Sequence, residues 1–163
     1  MKHQPHCEET HTLRHSGISY IELVKLINKQ LAPTSYFEIG TYIGSSLECF
    51  SCDAICVDPQ FRLKDGKWIA DRKRTLLFQQ TSDDFFRDQN LATYYPIGPD
   101  ISFLDGNHRA EFLLRDFMNL ERFTHSGSLI LLHDCLPLNA RMAERNVRHG
   151  DKSIEGTTWN WWT

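Results

Sequence analysis

The sequence predicts an α/β protein built on a doubly wound, mostly parallel sheet with helices on both faces. Three observations predict it. Short apolar runs alternate with segments of helical periodicity. The runs are apolar at nearly every position, as strands covered on both faces are. They also end, one after another, in acidic residues: near Glu38, at Asp58, just before Ser82-Asp83, at Asp105 and at Asp134. In open parallel sheets the ligand lies beyond the carboxyl ends of the strands, near the point where strand order reverses.

The elements follow in order. From Ser16 to Leu31, Ile18, Ile21, Val24, Ile27 and Leu31 recur at roughly helical spacing, and Ala32-Pro33 ends that helix. Ser35 to Ile39 reads as the first strand. Gly40 and Gly44 then mark a tight turn into a short helix over Ser45 to Phe50. Ala54 to Val57 is the second strand, closed by Asp58-Pro59. Thr75 to Gln79 is the third, followed by a short helical stretch over Asp83 to Gln89. Ile101 to Leu104 is the fourth, closed by Asp105-Gly106. Ala110 to Phe123 is a helix with Leu113, Phe117 and Leu120 on one face, and Ser128 to Leu132 is the fifth strand. Crossovers between parallel strands are expected to be right-handed.

The 163 residues fit one domain over 16–163, with its core over 35–137, after a flexible polar leader over 1–15. A net charge of -3 gives no argument for nucleic acid or an anionic membrane surface. No apolar run approaches the roughly 20 residues of a membrane span. The polar N-terminus has no signal-peptide core, so a cytoplasmic location is the default expectation. The histidines of the leader (His3, His6, His11, His15) read as part of a polar segment. The cysteines number five, an odd count that argues against a closed disulfide framework. Cys49, Cys52 and Cys56 fall on a helix end and the next strand, so their side chains should diverge, and no second CxxC completes a tetrahedral site.

Asp58 stands 18 residues after Gly40, at the end of the next strand. From there a carboxylate can grip both hydroxyls of a ribose. A nicotinamide dinucleotide would use the same acid, but it also needs a G-x-G-x-x-G turn for its pyrophosphate. Here position 42 is Tyr and position 45 is Ser, so an NAD-dependent oxidoreductase is disfavoured. A ribose-bearing ligand without phosphate fits better. S-adenosylmethionine, with adenine, ribose and a cationic methionine, is such a ligand.

The ordered set resembles the class I S-adenosylmethionine-dependent methyltransferases, in the branch (methyltransferase 24-like) with a D-G-x-H turn after strand four and an H-D turn after strand five. Those turns are Asp105-Gly106-Asn107-His108 and His133-Asp134 here. Between them Leu114-Arg115-Asp116-Phe117 and Thr124 to Leu132 are similar to the branch's helix, glycine turn and fifth strand. The likeness covers roughly Tyr36 to Pro137 and implies a Rossmann-like fold. It implies that Glu38, Gly40 and Gly44 line the methionine and ribose end, that Asp58 holds the ribose, and that Ser82 and Asp83 sit by the adenine. It also implies that Asp105 lies close to the methyl donor. A helix cap at Ser82-Asp83 is the compatible local reading.

Asp105, His108, His133 and Asp134 form a second constellation. Some relatives in the branch bind a divalent cation at these strand ends. Asp105 and Asp134 with bound water would suit Mg²⁺ or another divalent cation, which would favour deprotonation of an acceptor hydroxyl. His108 or His133 could instead act as general base, with Asp134 beside it. The bland reading is that both histidines hydrogen-bond backbone at loop starts and Asp134 stabilises a turn.

Family sheets normally end in a strand hairpin after strand five, and only 29 residues follow Asp134 here. Part or all of that hairpin is expected to be missing. The edge beside strand five would then be open. Trp159, Trp161 and Trp162 are expected to pack across it, or a homodimer to form through it or through the tail. The leading expectation is an O-methyltransferase acting on a small-molecule acceptor. The alternative is a non-catalytic S-adenosylmethionine- or nucleoside-binding module. Nothing in the sequence marks the acceptor.

Overall fold

The computed structural model describes residues 16–64, 66 and 71–135. The leader, the expected shortened hairpin, the tryptophan tail and any homodimer through that tail lie outside the described residues. Within them the chain runs α1 (Tyr20–Leu31), β1 (Ser35–Ile39), β2 (Asp53–Val57), β3 (Thr75–Phe78), α2 (Ser82–Asp88), β4 (Ile101–Leu104), α3 (Ala110–Glu121) and β5 (Leu129–Leu132). The five strands form one sheet in the order β3-β2-β1-β4-β5. Every neighbouring pair is parallel. Strand order reverses between β1 and β4, which places the expected ligand crevice above those two strands.

Strand alternation sends neighbouring residues to opposite faces. Phe37, Ile39, Ile55, Val57 and Leu104 pack with Phe85 of α2 and Leu113 and Leu120 of α3. Tyr36, Ala54, Cys56, Ile101 and Phe103 pack with Val24 of α1 and with Leu47 and Phe50 on the other face. The sheet is therefore covered on both sides, as the unbroken apolar strands require. No helix among the described residues is long and apolar enough to cross a membrane. The cysteines at 49, 52, 56 and 135 are free thiols.

Two elements differ from the expectation by more than a shift of one or two residues at an end. α1 starts at Tyr20 rather than Ser16, because Ser19 forms a capping box. The Ser19 N–H donates to Glu22 Oε2 at 2.8 Å and the Glu22 N–H donates to Ser19 Oγ at 3.2 Å. The helix expected over 45–50 is a single 3₁₀ turn, Leu47–Cys49. Its carbonyls are taken by side chains from elsewhere. Asn28 Nδ2 donates to Cys49 O at 2.9 Å, and the Arg72 guanidinium donates to the carbonyls of Leu47 and Phe50. These bonds stop the turn from extending, and Phe50 is already extended.

Candidate functional site at the strand ends

A cavity of about 560 Å³ opens above the carboxyl ends of the sheet, within the size range of small-molecule sites. β1 leads into Ile39, Gly40 and Tyr42; β2 into Val57, Asp58 and Pro59. The segment after β3 supplies Thr81, Ser82 and Asp83, and the turn after β4 supplies Asp105, Gly106, Asn107 and His108, with Phe112 from α3. Five expected cofactor residues thus share one cavity: Gly40, Asp58, Ser82, Asp83 and Asp105.

The Gly40–Gly44 turn is closed on itself. Gly40 N–H donates to Val57 O at 2.9 Å and Gly44 N–H to Thr41 O at 2.7 Å. Tyr42 N–H donates to Asp58 Oδ2 at 2.7 Å. Asp58 Oδ1 accepts from the Gln60 N–H at 2.6 Å. Each carboxylate oxygen of Asp58 is thereby fixed by one backbone donor, which leaves further lone pairs for a ligand's hydroxyls. The backbone needs positive φ at Gly40 (+88°) and Gly44 (+86°), and Tyr42 itself sits at +43°.

Glu38 and Gly44 are not among the cavity-lining residues. Glu38 is fully buried on the α1 face of β1, where Tyr36 Oη donates to its Oε1 at 3.1 Å and Ser46 Oγ donates to the same oxygen. Its other oxygen, Oε2, is buried with no hydrogen-bond partner among the described residues. Burial pushes its carboxyl up to about 7 against the pull of those hydrogen bonds. Glu38 therefore supports the floor behind the Gly40 turn, and Gly44 shapes that turn from outside the cavity.

At the other side the cavity meets a cluster of two acids and two histidines. His108 Nε2 lies 3.3 Å from Asp105 Oδ1 and 3.5 Å from Asp134 Oδ2. His133 Nδ1 lies 3.2 Å from Asp105 Oδ1 and 2.9 Å from Asp134 Oδ1. Burial works against the charge of Asp105, yet its hydrogen bonds to His108 and His133 outweigh it and hold the carboxyl below its ordinary range. Burial likewise works against the His133 imidazolium, but Asp105 and Asp134 push its pKa up to about 9. His133 is thus a cation at neutral pH that holds the two carboxylates together. Of the two histidines, His108 is the one that lines the cavity. Asp134 adopts a left-handed backbone (φ 61°), a conformation uncommon outside glycine. Ligand atoms of Asp105, His108 and Asp134 all lie within 4.8 Å of one another. The Tyr20 ring, 4.4 Å from that of His133, covers the cluster from α1.

The wall by Ser82 and Asp83 also differs from expectation. Thr81, not Ser82, caps α2: its Oγ1 accepts from the Asp84 N–H at 3.1 Å. Asp83 is paired with Arg115 of α3 at 2.7 Å. Arg115 also lies over the ring of Phe112, 4.5 Å from its centroid. Sequence reasoning missed Tyr42 and Phe112, which line the cavity, and Asp116, which is buried behind Gly106. Asp116 was legible in part, because it sits three residues after Leu113 and four before Leu120, on the buried face of α3.

The sequence pattern of a methyltransferase domain family matches residues 37–135. No curated protein matches the chain. Among solved structures, an SAH-bound methyltransferase of Podospora anserina is similar, with a TM-score of 0.50 and 14% identity, over 74% of this chain and 54% of that one. A Staphylococcus aureus protein described as a caffeoyl-CoA O-methyltransferase is similar with a TM-score of 0.56 and 11% identity, over 91% of this chain and 73% of its own. The chain spans about half the length of the first of these, 54%. At such identities the likeness is one of fold.

Proposed function

The chain belongs to the methyltransferase domain family, and we propose on that premise that it transfers a methyl group from S-adenosylmethionine to an oxygen of a small-molecule acceptor. The observation that carries the cofactor reading is the use of the Gly40–Gly44 turn. A dinucleotide would need the N–H groups of this turn for its pyrophosphate. Those of Gly40, Tyr42 and Gly44 are already spent on Val57, Asp58 and Thr41. What the turn offers instead is a fixed carboxylate, which repels phosphate and suits a ribose diol. A nucleoside with a cationic sulfur and no phosphate matches that offer, as does the SAH (S-adenosylhomocysteine) held by the Podospora anserina neighbour.

The chemistry asks for alignment more than for reactive side chains. The acceptor O–H loses its proton to His108, and the oxygen attacks the methyl carbon. S-adenosylmethionine held in the cavity would supply the methyl group, its sulfur keeping the electron pair of the broken carbon–sulfur bond. Asp105, shared by cavity and cluster, stabilises the charge on His108 as the proton arrives.

Two carboxylates and an imidazole also form a donor set that fits a divalent cation. Asp105, Asp134 and His108 would hold it, and the nitrogen donor favours Mn²⁺, Fe²⁺ or Zn²⁺ over Mg²⁺. A divalent cation bound there would lower the pKa of an acceptor hydroxyl.

Isothermal titration calorimetry with S-adenosylmethionine, SAH and NADH tests the reading. Binding of both sulfur ligands and not of NADH is the expected result; binding of neither sulfur ligand overturns it. Tight binding with no turnover of catechol, phenol or hydroxy-acid acceptors would instead favour a module that binds the cofactor without transferring its methyl group.

A further inference from the structure

An open groove of about 510 Å³ lies between the last turn of α2 and the end of α3. Both helices begin at the cavity described above, with Ser82 and Phe112 in its wall. The groove is at their other ends: Arg122 stands ten residues beyond Phe112, about 15 Å along a helix. Phe86 and Phe123 line the groove with nearly parallel rings, their planes 10° apart and their centroids 6.4 Å apart. The polar side chains beside them have their acceptor atoms already occupied. Gln89 Oε1 accepts from Tyr94 Oη at 2.7 Å, and Asn90 Oδ1 accepts from the Ala92 N–H at 3.1 Å. Both oxygens of Asp88 are taken by Arg87, at 2.8 Å each, and Arg87 is paired with Asp84 as well. Arg122 has no such acid. Among the described residues its guanidinium hydrogen-bonds to the neutral Asn119, at 3.2 Å to Oδ1, and it lies 5.7 Å from the centroid of the Phe123 ring.

We propose that this groove is a second small-molecule site, one that binds an aromatic carboxylate. With the acceptors spent, what the lining offers a ligand is N–H donors: the amide groups of Gln89 and Asn90 and the guanidinium of Arg122. Donors joined to one uncompensated positive charge select an anion. A single cation matches the one charge of a carboxylate better than the two of a phosphate ester. The paired phenyl rings give the ligand's flat apolar body a surface to pack on. An anion without such a body forgoes that packing, and a flat neutral molecule leaves the Arg122 charge unmet. Neither the Gly40–Gly44 turn nor the acid–histidine cluster takes part, so the inference stands apart from the cofactor reading.

The test is an amide NMR titration of the full chain with three probes: naphthoate, its neutral match naphthamide, and acetate, which has the charge without the ring. Naphthoate is expected to shift the amides of Gln89, Asn90, Arg122 and Phe123 saturably. It should bind about tenfold more tightly than either naphthamide or acetate, the scale of one charge-assisted hydrogen bond or one ring contact. Arg122→Gln, at an exposed position, should weaken naphthoate about tenfold and bring it level with naphthamide, whose own affinity should not change. Absence of saturable shifts at the groove amides overturns the inference, wherever else naphthoate binds. Shifts confined to Gly40, Asn107 and His108 are one such outcome and would place the ligand in the other cavity. Equal affinity of the native protein for naphthoate and naphthamide overturns it too, as does equal affinity for naphthoate and acetate. Undiminished naphthoate affinity in Arg122→Gln overturns it independently of the probes.

Discussion

Gly40 lies against the backbone of Asp105, so close that a Cβ on Gly40 would meet the Asp105 carbonyl oxygen at 1.9 Å. The contact joins the ends of β1 and β4, the two strands between which sheet order reverses. It also brings the Gly40–Gly44 turn and the acid–histidine cluster to one cavity. Gly40→Ala should therefore destabilise the fold by about 3 kcal/mol or more, through a steric clash added to a strained positive φ. It should also weaken SAH binding beyond the loss of folded protein. Gly98→Ala is the control: its Cβ would meet the Phe123 carbonyl oxygen at 1.9 Å, away from the cavity. Urea titration should find both variants destabilised, and calorimetry on the folded fraction should find affinity reduced only for Gly40→Ala. Normal affinity in Gly40→Ala would show that the β1–β4 contact does not shape the site.

Glu38 within β1 and Asp58 just after β2 should separate by function. Asp58 faces the cavity with both oxygens set by backbone donors, and Glu38 is buried behind it. Asp58→Asn should lower affinity for SAH by roughly ten- to a hundredfold, as expected for losing a charged hydrogen-bond acceptor. Glu38→Gln should lower it by no more than about threefold, since the change leaves the cavity wall in place. Calorimetry on the pair checks this, and a larger loss in Glu38→Gln than in Asp58→Asn would reverse the assignment.

Much of this arrangement was legible because it is written in short local patterns. All five strands are mostly apolar runs, Asp58 and Asp105 follow β2 and β4 directly, and Asp134 follows β5 after His133, so topology alone carries the three acids to one edge. Glu38 shows where local reading stops. It shares strand parity with Tyr36, which points to the α1 face, while Phe37 and Ile39 point to the other. The family resemblance marked it as a ligand residue, but parity decides which way it points. The truncated 3₁₀ turn at Leu47–Cys49 depends on Asn28 and Arg72, which lie 21 and 25 residues from its carbonyls. Tyr20 reaches His133 across more than a hundred positions of sequence. No local periodicity encodes such partners. Asp116 is intermediate, since its helical phase marks it as buried but only the fold brings Gly106 to it.

Glu38 also sets a pH dependence. Burial raises its pKa from 4.5 to about 7 in the folded protein. The native state thus binds this proton more tightly than the unfolded chain does. The stabilisation is fully present below pH 4.5, and it is lost as pH rises through about 7. A shift of this size corresponds to something on the order of 3 kcal/mol. Glu38→Gln resembles the protonated form and should flatten that part of the profile. Urea midpoints of the native protein and Glu38→Gln, compared from pH 4.5 to 8, should diverge as pH rises, with the variant the more resistant at the upper end. Parallel profiles would mean that Glu38 is not held protonated by burial.

The acid–histidine cluster gives the last prediction. Asp105, His108 and Asp134 bring their donor atoms within 4.8 Å of one another, and Asp134 holds a left-handed backbone to do so. If the set binds a divalent cation, Mn²⁺ should raise the melting temperature, because a ligand that binds only the folded state stabilises it by mass action. At a hundredfold excess over Kd the gain is about 2.7 kcal/mol, or several degrees for a domain of this size. Chelation with EDTA should reverse it. Asp134→Asn and His108→Ala should each remove most of the shift, since each deletes a ligand, while Asp58→Asn should keep it, since Asp58 lies across the cavity at the end of β2. SAH affinity should follow the opposite pattern, lost in Asp58→Asn and kept in Asp134→Asn. A melting temperature indifferent to Mn²⁺, Fe²⁺ and Zn²⁺ would leave the cluster as an ion-paired support in which His133 neutralises Asp105 and Asp134. The proton of the acceptor would then pass to His108 alone, and turnover should still fall in His108→Ala.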